Sequence, residues 1–272
     1  MDGFNKTIWI NWFQGWDNAP EIAHTCVKSW RQYNPGWDIK LLSNENYAEY
    51  ADFDERVPNL KQNNIDKSDL LRVSLLSKHG GIWADSTLFC NKPLDDWILD
   101  YKDYFVFTRK DNLMDNWFMM SNGDNYVAGK MYELAVQYWK ERQAKGKQEE
   151  LIWCWQIGHL SRLLNTDQRV HDIVHGWDHI DIRHDVYNQK NGKGFRGKSG
   201  HLFTPYMKYF YNPISDEIKN RIDAKIDPVY KLTYKTDTEW RTAQNELHPG
   251  NEKIAFNYPE NSEVNYLLST LK

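Results

Sequence analysis

One stretch limits the fold of this chain more than any other. Asp66-Lys67-Ser68-Asp69-Leu70-Leu71-Arg72-Val73-Ser74-Leu75-Leu76-Ser77-Lys78-His79 reads as a helix, Gly80-Gly81 stops it, and Ile82-Trp83-Ala84 follows as a short strand. At about 100° per residue, Lys67, Ser74 and Lys78 share one narrow sector, which is expected to face solvent. Asp69 falls between the directions of Val73 and Leu76, and Arg72 between those of Leu75 and Leu76. Both charges are therefore expected among apolar neighbours. An exposed i,i+3 ion pair is worth only a few tenths of a kcal/mol. Burying two charges costs several kcal/mol each unless further hydrogen bonds satisfy them. The strand after the glycines ends in Asp85-Ser86-Thr87, and in open α/β sheets ligands bind in the crevice beyond the strand ends. Asp69, Arg72 and Asp85 are thus expected to converge on one polar ligand.

The rest of the chain fits an α/β class. Lys6 to Phe13 and Trp37 to Leu42 read as strands, with a helix after Pro20 between them and a second helix expected after Ser43-Asn44. Such βαβ alternation predicts a mainly parallel, Rossmann-like sheet flanked by helices. Tyr104 to Thr108 and Trp117 to Ser121 read as further strands, Tyr126 to Ala144 and Glu149 to Leu164 as helices, and Tyr230 to Tyr234 as a late strand. The polar, glycine-rich residues from Asp172 to Gly200 suit a surface or active-site segment.

A net charge of -4, from 34 Lys plus Arg against 38 Asp plus Glu, gives no broad positive field, so nucleic acid is not an expected partner. The opening residues lack the basic and apolar regions of a secretion signal, and no apolar run is long enough to cross a membrane. A cytoplasmic location is therefore expected. Cys26, Cys90 and Cys154 are far apart and form no CxxC pair, which predicts reduced, structural thiols. With 13 Trp, 16 Tyr and 11 Phe the chain is rich in rigid aromatic faces, which pack cores and also stack on sugars and bases.

Ser68-Asp69-Leu70-Leu71-Arg72 and Gly80-Gly81-Ile82-Trp83-Ala84-Asp85-Ser86-Thr87 resemble the SDxxR and GGIWxD signature of bacterial capsular polysaccharide synthesis glycosyltransferases. Those proteins are similar to the DxD sugar-binding glycosyltransferases, which include yeast initiating mannosyltransferases and clostridial glucosylating toxins. Ile8 to Trp16, Ala19-Pro20, Ser29-Trp30, Asn34-Pro35-Gly36-Trp37, Asn116-Trp117-Phe118 and Lys231 to Lys235 also resemble that group.

The resemblance implies one GT-A domain spanning the chain, with about residues 1–110 binding the nucleotide sugar and about 111–272 the acceptor side. It implies that Trp9 lies near or stacks on the base, that Asp69 accepts hydrogen bonds from donor-sugar hydroxyls with Arg72 supporting it or reaching the sugar or diphosphate, and that Asp85 contacts the ribose, the sugar and the metal shell. Gly81 belongs to the same donor-binding segment. Retention of anomeric configuration, a manganese or magnesium ion and a glycan or lipid-linked oligosaccharide acceptor are implied likewise. Such an acceptor would bring the chain to the inner face of the membrane. Thr87 stands where the group carries its second DxD carboxylate. A hydroxyl is a weaker ligand for a hard cation, so Asp85 is left as the metal-binding residue.

A departing nucleotide diphosphate needs cationic stabilisation, for which Lys231 and Lys235 are candidates beside a metal. Asn116, Trp117 and Gln156, the last within Trp153-Cys154-Trp155-Gln156, offer aromatic and amide groups suited to an acceptor glycan. Gly192 to Gly197 spells GxGxxG but neither follows a strand nor opens a helix, so a mobile basic loop is the better expectation. His171, His175 and His179 recur every four residues, but Gly176 breaks the face they would share as a zinc site. Two other readings stand beside the transferase: a noncatalytic carbohydrate-binding protein, and a hydrolase using His171 to His184.

Overall fold

The computed structural model describes residues 4–58, 64–108, 114–145, 155–175, 213–232 and 260–272. In chain order its elements are β1 (Thr7–Asn11), α1 (Glu21–Tyr33), β2 (Asp38–Leu42), α2 (Phe53–Arg56), α3 (Asn64–Lys78), β3 (Gly81–Ala84), β4 (Leu88–Cys90), β5 (Tyr104–Thr108), β6 (Met114–Ser121), α4 (Tyr126–Ala144), α5 (Trp155–Thr166), α6 (Gln168–His175), α7 (Asp216–Asp223), β7 (Val229–Lys231) and α8 (Glu263–Ser269). They fall into two compact units. One draws on Met1–Trp16, Gly36–Asp85 and Ile98–Asp181, the other on Asp17–Pro35, Ser86–Trp97 and Ile182–Lys272.

The first unit carries the sheet, in the order β2-β1-β3-β6-β5. β2 and β3 run parallel to β1, β6 runs antiparallel to β3, and β5 antiparallel to β6, so β6 alone is reversed. The α/β sheet expected from the alternation is present, mostly parallel with one reversed strand. All five residues of β1 are buried, which is why it reads as a continuous β-branched and aromatic run rather than an alternating one. Beneath one face lie Trp9, Trp83 and Met119 from the strands, packed with Leu70, Val73 and Leu76 of α3 and Tyr132, Val136 and Trp139 of α4. α4 opens where the sequence placed it, with the Asn125 side chain accepting from the amides of Val127 and Ala128 at 2.9 and 3.2 Å.

α3 enters this core as expected, but its solvent sector is narrower than its periodicity suggests. Every residue from Asp69 to Leu76 is buried, Ser74 included, whose hydroxyl donates to Asp52 Oδ1 at 3.3 Å. Flanking structure from α2 and α4 covers the side that helical spacing alone gives to water. Lys78 stays exposed and Lys67 is half-buried, its ammonium 4.1 Å from the Tyr47 ring centre.

A second correction concerns Ser43-Asn44. No long helix follows it. The Ser43 amide donates to Asn46 Oδ1, the Ser43 hydroxyl accepts from the Glu45 amide, and the chain forms a single 3₁₀ turn, Tyr47–Glu49, before the one-turn α2. The glycine stop behaves as read. Gly80 and Gly81 have φ of +69° and +90°, and a Cβ on Gly81 would lie 2.6 Å from the Thr7 carbonyl oxygen. Only glycine fits that turn from α3 into β3.

The second unit is a small α/β core. β4 pairs antiparallel with β7, matching Leu88 to Lys231 and Cys90 to Val229. Ile22 and Cys26 of α1, Phe89, Ile218 and Ile222 of α7, Tyr230, and Val264 and Leu267 of α8 close around that ribbon. β7 covers the start of the strand expected over Tyr230 to Tyr234; Thr233 and Tyr234 lie outside the described residues. Cys26 and Cys90 are buried and free, and burial pushes the Cys90 thiol up to about 12. Cys154 lies outside the described residues. Among those residues no helix is long and apolar enough to cross a membrane.

Candidate active site

The three residues singled out by sequence meet within the first unit. α3 lies against β3 and β6, so side chains on its buried face reach the point where β3 ends. Arg72 Nη2 is 3.0 Å from Asp69 Oδ1 and 3.4 Å from Asp85 Oδ1, and Arg72 Nη1 donates to the Asn116 carbonyl at 2.6 Å. The guanidinium also stands 5.1 Å from the ring centre of Trp83. Trp83, two residues before Asp85 on the strand, donates its indole N–H to Asp85 Oδ1 at 2.9 Å. One aromatic side chain therefore supports both the guanidinium and the carboxylate it faces.

The side-chain amides of Asn116 and Gln156 close the inner side. Asn116 Nδ2 lies 3.3 Å from Asp69 Oδ1 and 2.8 Å from Gln156 Oε1, and Gln156 Nε2 donates to the Asp69 carbonyl at 2.9 Å. Asp69, Arg72 and Gln156 are buried, while the Asp85 side chain is 23% exposed. The cluster thus has a largely buried base, with the Asp69 side chain 11% exposed, and a more exposed carboxylate at its rim.

Burial raises the Asp69 carboxyl to about 6; Arg72 works against the rise, and Asp85 and Asp66 add to it. Asp69 and Asp85 share one nitrogen of Arg72, an arrangement suited to a ligand that brings hydroxyl donors or a cation. Among the described residues no three His, Cys, Asp or Glu side chains gather as a metal site. Asp85 alone of the expected donors offers an open oxygen-bearing side chain, so a hard cation bound to it would need the rest of its oxygens from ligand and water.

The other expected residues are placed differently. Trp9 is 3% exposed, donates its indole N–H to the Gly80 carbonyl at 2.9 Å and is flanked by Tyr50 and His79, which makes it part of the core. Trp117 is also largely covered, stacked on Phe107 at 4.9 Å, although its carbonyl accepts from the Asp85 amide. Trp155 lies flat on Tyr138 at 5.4 Å. In the second unit, Lys231 Nζ donates to the Thr87 hydroxyl at 3.0 Å, so this hydroxyl has an ammonium for its neighbour. His171 is exposed on α6 beside Asp172. Lys235, residues 192–197, Trp153, His179, His184, Asp178 and Asp181 lie outside the described residues, as does the side chain of His175.

Two contributors escaped the sequence reading of the site. Trp83 was part of the motif but had no role assigned, though an i,i+2 spacing on a strand puts it on the same side as Asp85. Asp66, one turn before Asp69, is buried and acts on its charge.

The chain is similar to known glycosyltransferases over part of its length. A 32% identical segment of 102 residues is shared with the initiation-specific alpha-1,6-mannosyltransferase of Saccharomyces cerevisiae, covering 34% of this chain and 21% of that protein. The O-glycosyltransferase braB of Annulohypoxylon truncatum is 29% identical over 105 residues, covering 34% and 25%. The chain spans a quarter or less of the length of these two relatives. Among solved structures, the PaToxG glycosyltransferase superposes with a TM-score of 0.44 at 15% identity, covering 62% of this chain and 73% of that one. The profile of the capsular polysaccharide synthesis proteins matches residues 2–147, more than half of the 272, and spans all of α3, β3 and β6. The chain belongs to the capsular polysaccharide synthesis protein family.

Proposed function

We propose that this chain is a glycosyltransferase of GT-A type that takes a sugar from a nucleotide-diphosphate donor and passes it, with retention of configuration, to a glycan or lipid-linked oligosaccharide. The observation that carries the reading is that Arg72 bridges two carboxylates at the end of β3, Asp69 largely buried and Asp85 partly exposed. The relatives described above, a mannosyltransferase and an O-glycosyltransferase by name, support the same reaction class.

In this reading the sugar sits over the rim of the cluster. Its hydroxyls donate to Asp69, whose remaining lone pairs are oriented by Arg72 and Asn116. Asp85, fixed by the Trp83 indole, faces the ribose and the reacting end of the sugar. A manganese or magnesium ion, when bound at Asp85, would supply positive charge to the leaving diphosphate. Arg72 holds both carboxylates at a fixed separation and so sets where the anomeric carbon can lie. Transfer at the inner membrane face in the cytoplasm fits a lipid-linked acceptor.

A calorimetric screen of UDP- and GDP-sugars, with and without manganese, tests donor and metal together. Asp85→Ala should abolish turnover of the donor that binds, and retained transfer would reject its role. Asp69→Asn should weaken the sugar nucleotide more than the free nucleotide diphosphate. Equal losses for the two ligands would make Asp69 structural and the reading wrong.

A further inference from the structure

Gln156 has no free end to offer a ligand. It is 1% exposed, its Nε2 is tied to the Asp69 carbonyl, and its Oε1 to Asn116 Nδ2. The order of donors and acceptors in this chain is forced. A backbone carbonyl only accepts, so the NH₂ of Gln156 must face Asp69 O. That turns Oε1 towards Asn116, and since Oε1 also only accepts, Asn116 must present its own NH₂. In that orientation the same nitrogen lies 3.3 Å from Asp69 Oδ1. Were Asn116 to turn over, its carbonyl oxygen would face Gln156 Oε1 and Asp69 Oδ1 together, two acceptors with nothing to accept.

We infer that Gln156 is a positioning residue: from the first turn of α5 it fixes which way Asn116 faces, and through Asn116 it holds the Asp69 carboxylate in register for the donor sugar. The inference rests on the role proposed above for Asp69. It moves Gln156 and Asn116 from the acceptor side, where their amides and neighbouring aromatics suggested a place, to the donor side. α5 supplies this contact from a segment 87 residues beyond Asp69, and nothing in α3 itself would make up for its loss.

Gln156→Met keeps the length and the packing and removes both hydrogen bonds. With the full-length chain and four probes, UDP, UDP-glucose, GDP and GDP-mannose, calorimetry should show the sugar nucleotide that wild type binds weakened about tenfold. The matching nucleotide diphosphate should stay within about twofold, because a hydrogen-bond link of this size acts only where the sugar is held. Equal losses on both ligands, or no loss on either, would overturn the inference. Should Gln156→Met fail to fold, Asn116→Ser reads the same link from β6, with the same split expected and the same outcomes against it. In the double variant the two losses should not add, since both break one chain of contacts; additive losses would count against it. Failure of the underlying reading looks different. There, wild type binds none of the four probes, or Asp69→Asn leaves sugar selectivity intact, and the role of Gln156 falls with it. A selective loss in Asp69→Asn without one in Gln156→Met or Asn116→Ser overturns this inference alone.

Discussion

Each unit of the molecule contains a buried aspartate held by an arginine, and the two are built to opposite ends. In the second unit Arg221 grips Asp227 with two nitrogens, Nε on Oδ2 at 3.1 Å and Nη2 on Oδ1 at 2.8 Å, and the Tyr230 hydroxyl adds a third hydrogen bond at 3.2 Å. One positive group meets one negative group in the fork geometry that suits them. In the first unit Arg72 divides Nη2 between Asp69 and Asp85, gives Nη1 to a carbonyl, and keeps a buried Nε with no hydrogen-bond partner among the described residues. Asp66 adds another carboxylate. A fold that needed only a clasp would use the first arrangement. The second divides one guanidinium nitrogen between two carboxylates, and the proposed donor site rests on that arrangement.

The largest test of that distinction removes each arginine in turn. Arg72→Ala leaves two carboxylates without their counter-charge, one of them buried, and should cost about 3–5 kcal/mol of stability. It should also abolish sugar-nucleotide binding. Arg221→Ala breaks a pair whose arginine is partly in water, with a side-chain exposure of 26%, and should cost about 1–3 kcal/mol while donor affinity is unchanged. Thermal melts and calorimetry on the same preparations check both halves. Loss of donor binding in Arg221→Ala would erase the contrast.

A smaller effect comes from the titration of Asp69. Its carboxyl is raised from 3.8 to about 6 in the fold, so the folded state binds a proton more readily than the unfolded chain. Stability from this group is therefore fully present below about pH 4 and is lost as pH rises through 6. The shift of about two units corresponds to about 3 kcal/mol. Denaturant titrations from pH 4 to 7.5 should show wild-type stability falling relative to Asp69→Asn over that interval. Parallel curves for the two proteins would mean that Asp69 carries no unfavourable charge, and the site would then resemble the Asp227 clasp after all.

How much of this was legible in the sequence depends on how far apart the partners lie. Asp69 and Arg72 are three residues apart on one helix, and Asp85 ends the strand after a glycine stop, so helical periodicity and the place of ligands beyond strand ends brought them together. Ser74 went the other way, because helical spacing does not say that α2 and α4 will cover a second side. Asn116 meets Arg72 across 44 residues and Gln156 meets Asp69 across 87. Their residue types suggested ligand contact, but only tertiary packing reveals that the ligand of Gln156 is the protein itself. The aromatic excess was ambiguous for the same reason: Trp9, Trp117 and Trp155 carry faces fit for a base or a sugar, and in the fold those faces meet Tyr50, Phe107 and Tyr138. β4 and β7 pair over only three residues each, too short for an alternating pattern to register.

The finest contrast concerns two tryptophans with similar jobs in different units. Trp83 donates its indole N–H to Asp85 at 2.9 Å and Trp30 donates its own to the Leu88 carbonyl at 2.8 Å; both side chains are fully buried. Replacing either by Phe removes one hydrogen bond and leaves a small cavity, so both variants should lose about 1–3 kcal/mol of stability. Only Trp83→Phe also releases a carboxylate that is open to the ligand. Phenylalanine still offers a ring face to Arg72, so the guanidinium stays, but Asp85 Oδ1 gains freedom to swing. Donor turnover should then fall about fivefold to tenfold, the equivalent of one hydrogen bond to a partly solvated carboxylate, while Trp30→Phe turns over donor at the wild-type rate at a temperature where both are folded. Similar rates for the two variants would show that the indole of Trp83 serves the core alone, and that the position of Asp85 is set by Arg72 without it.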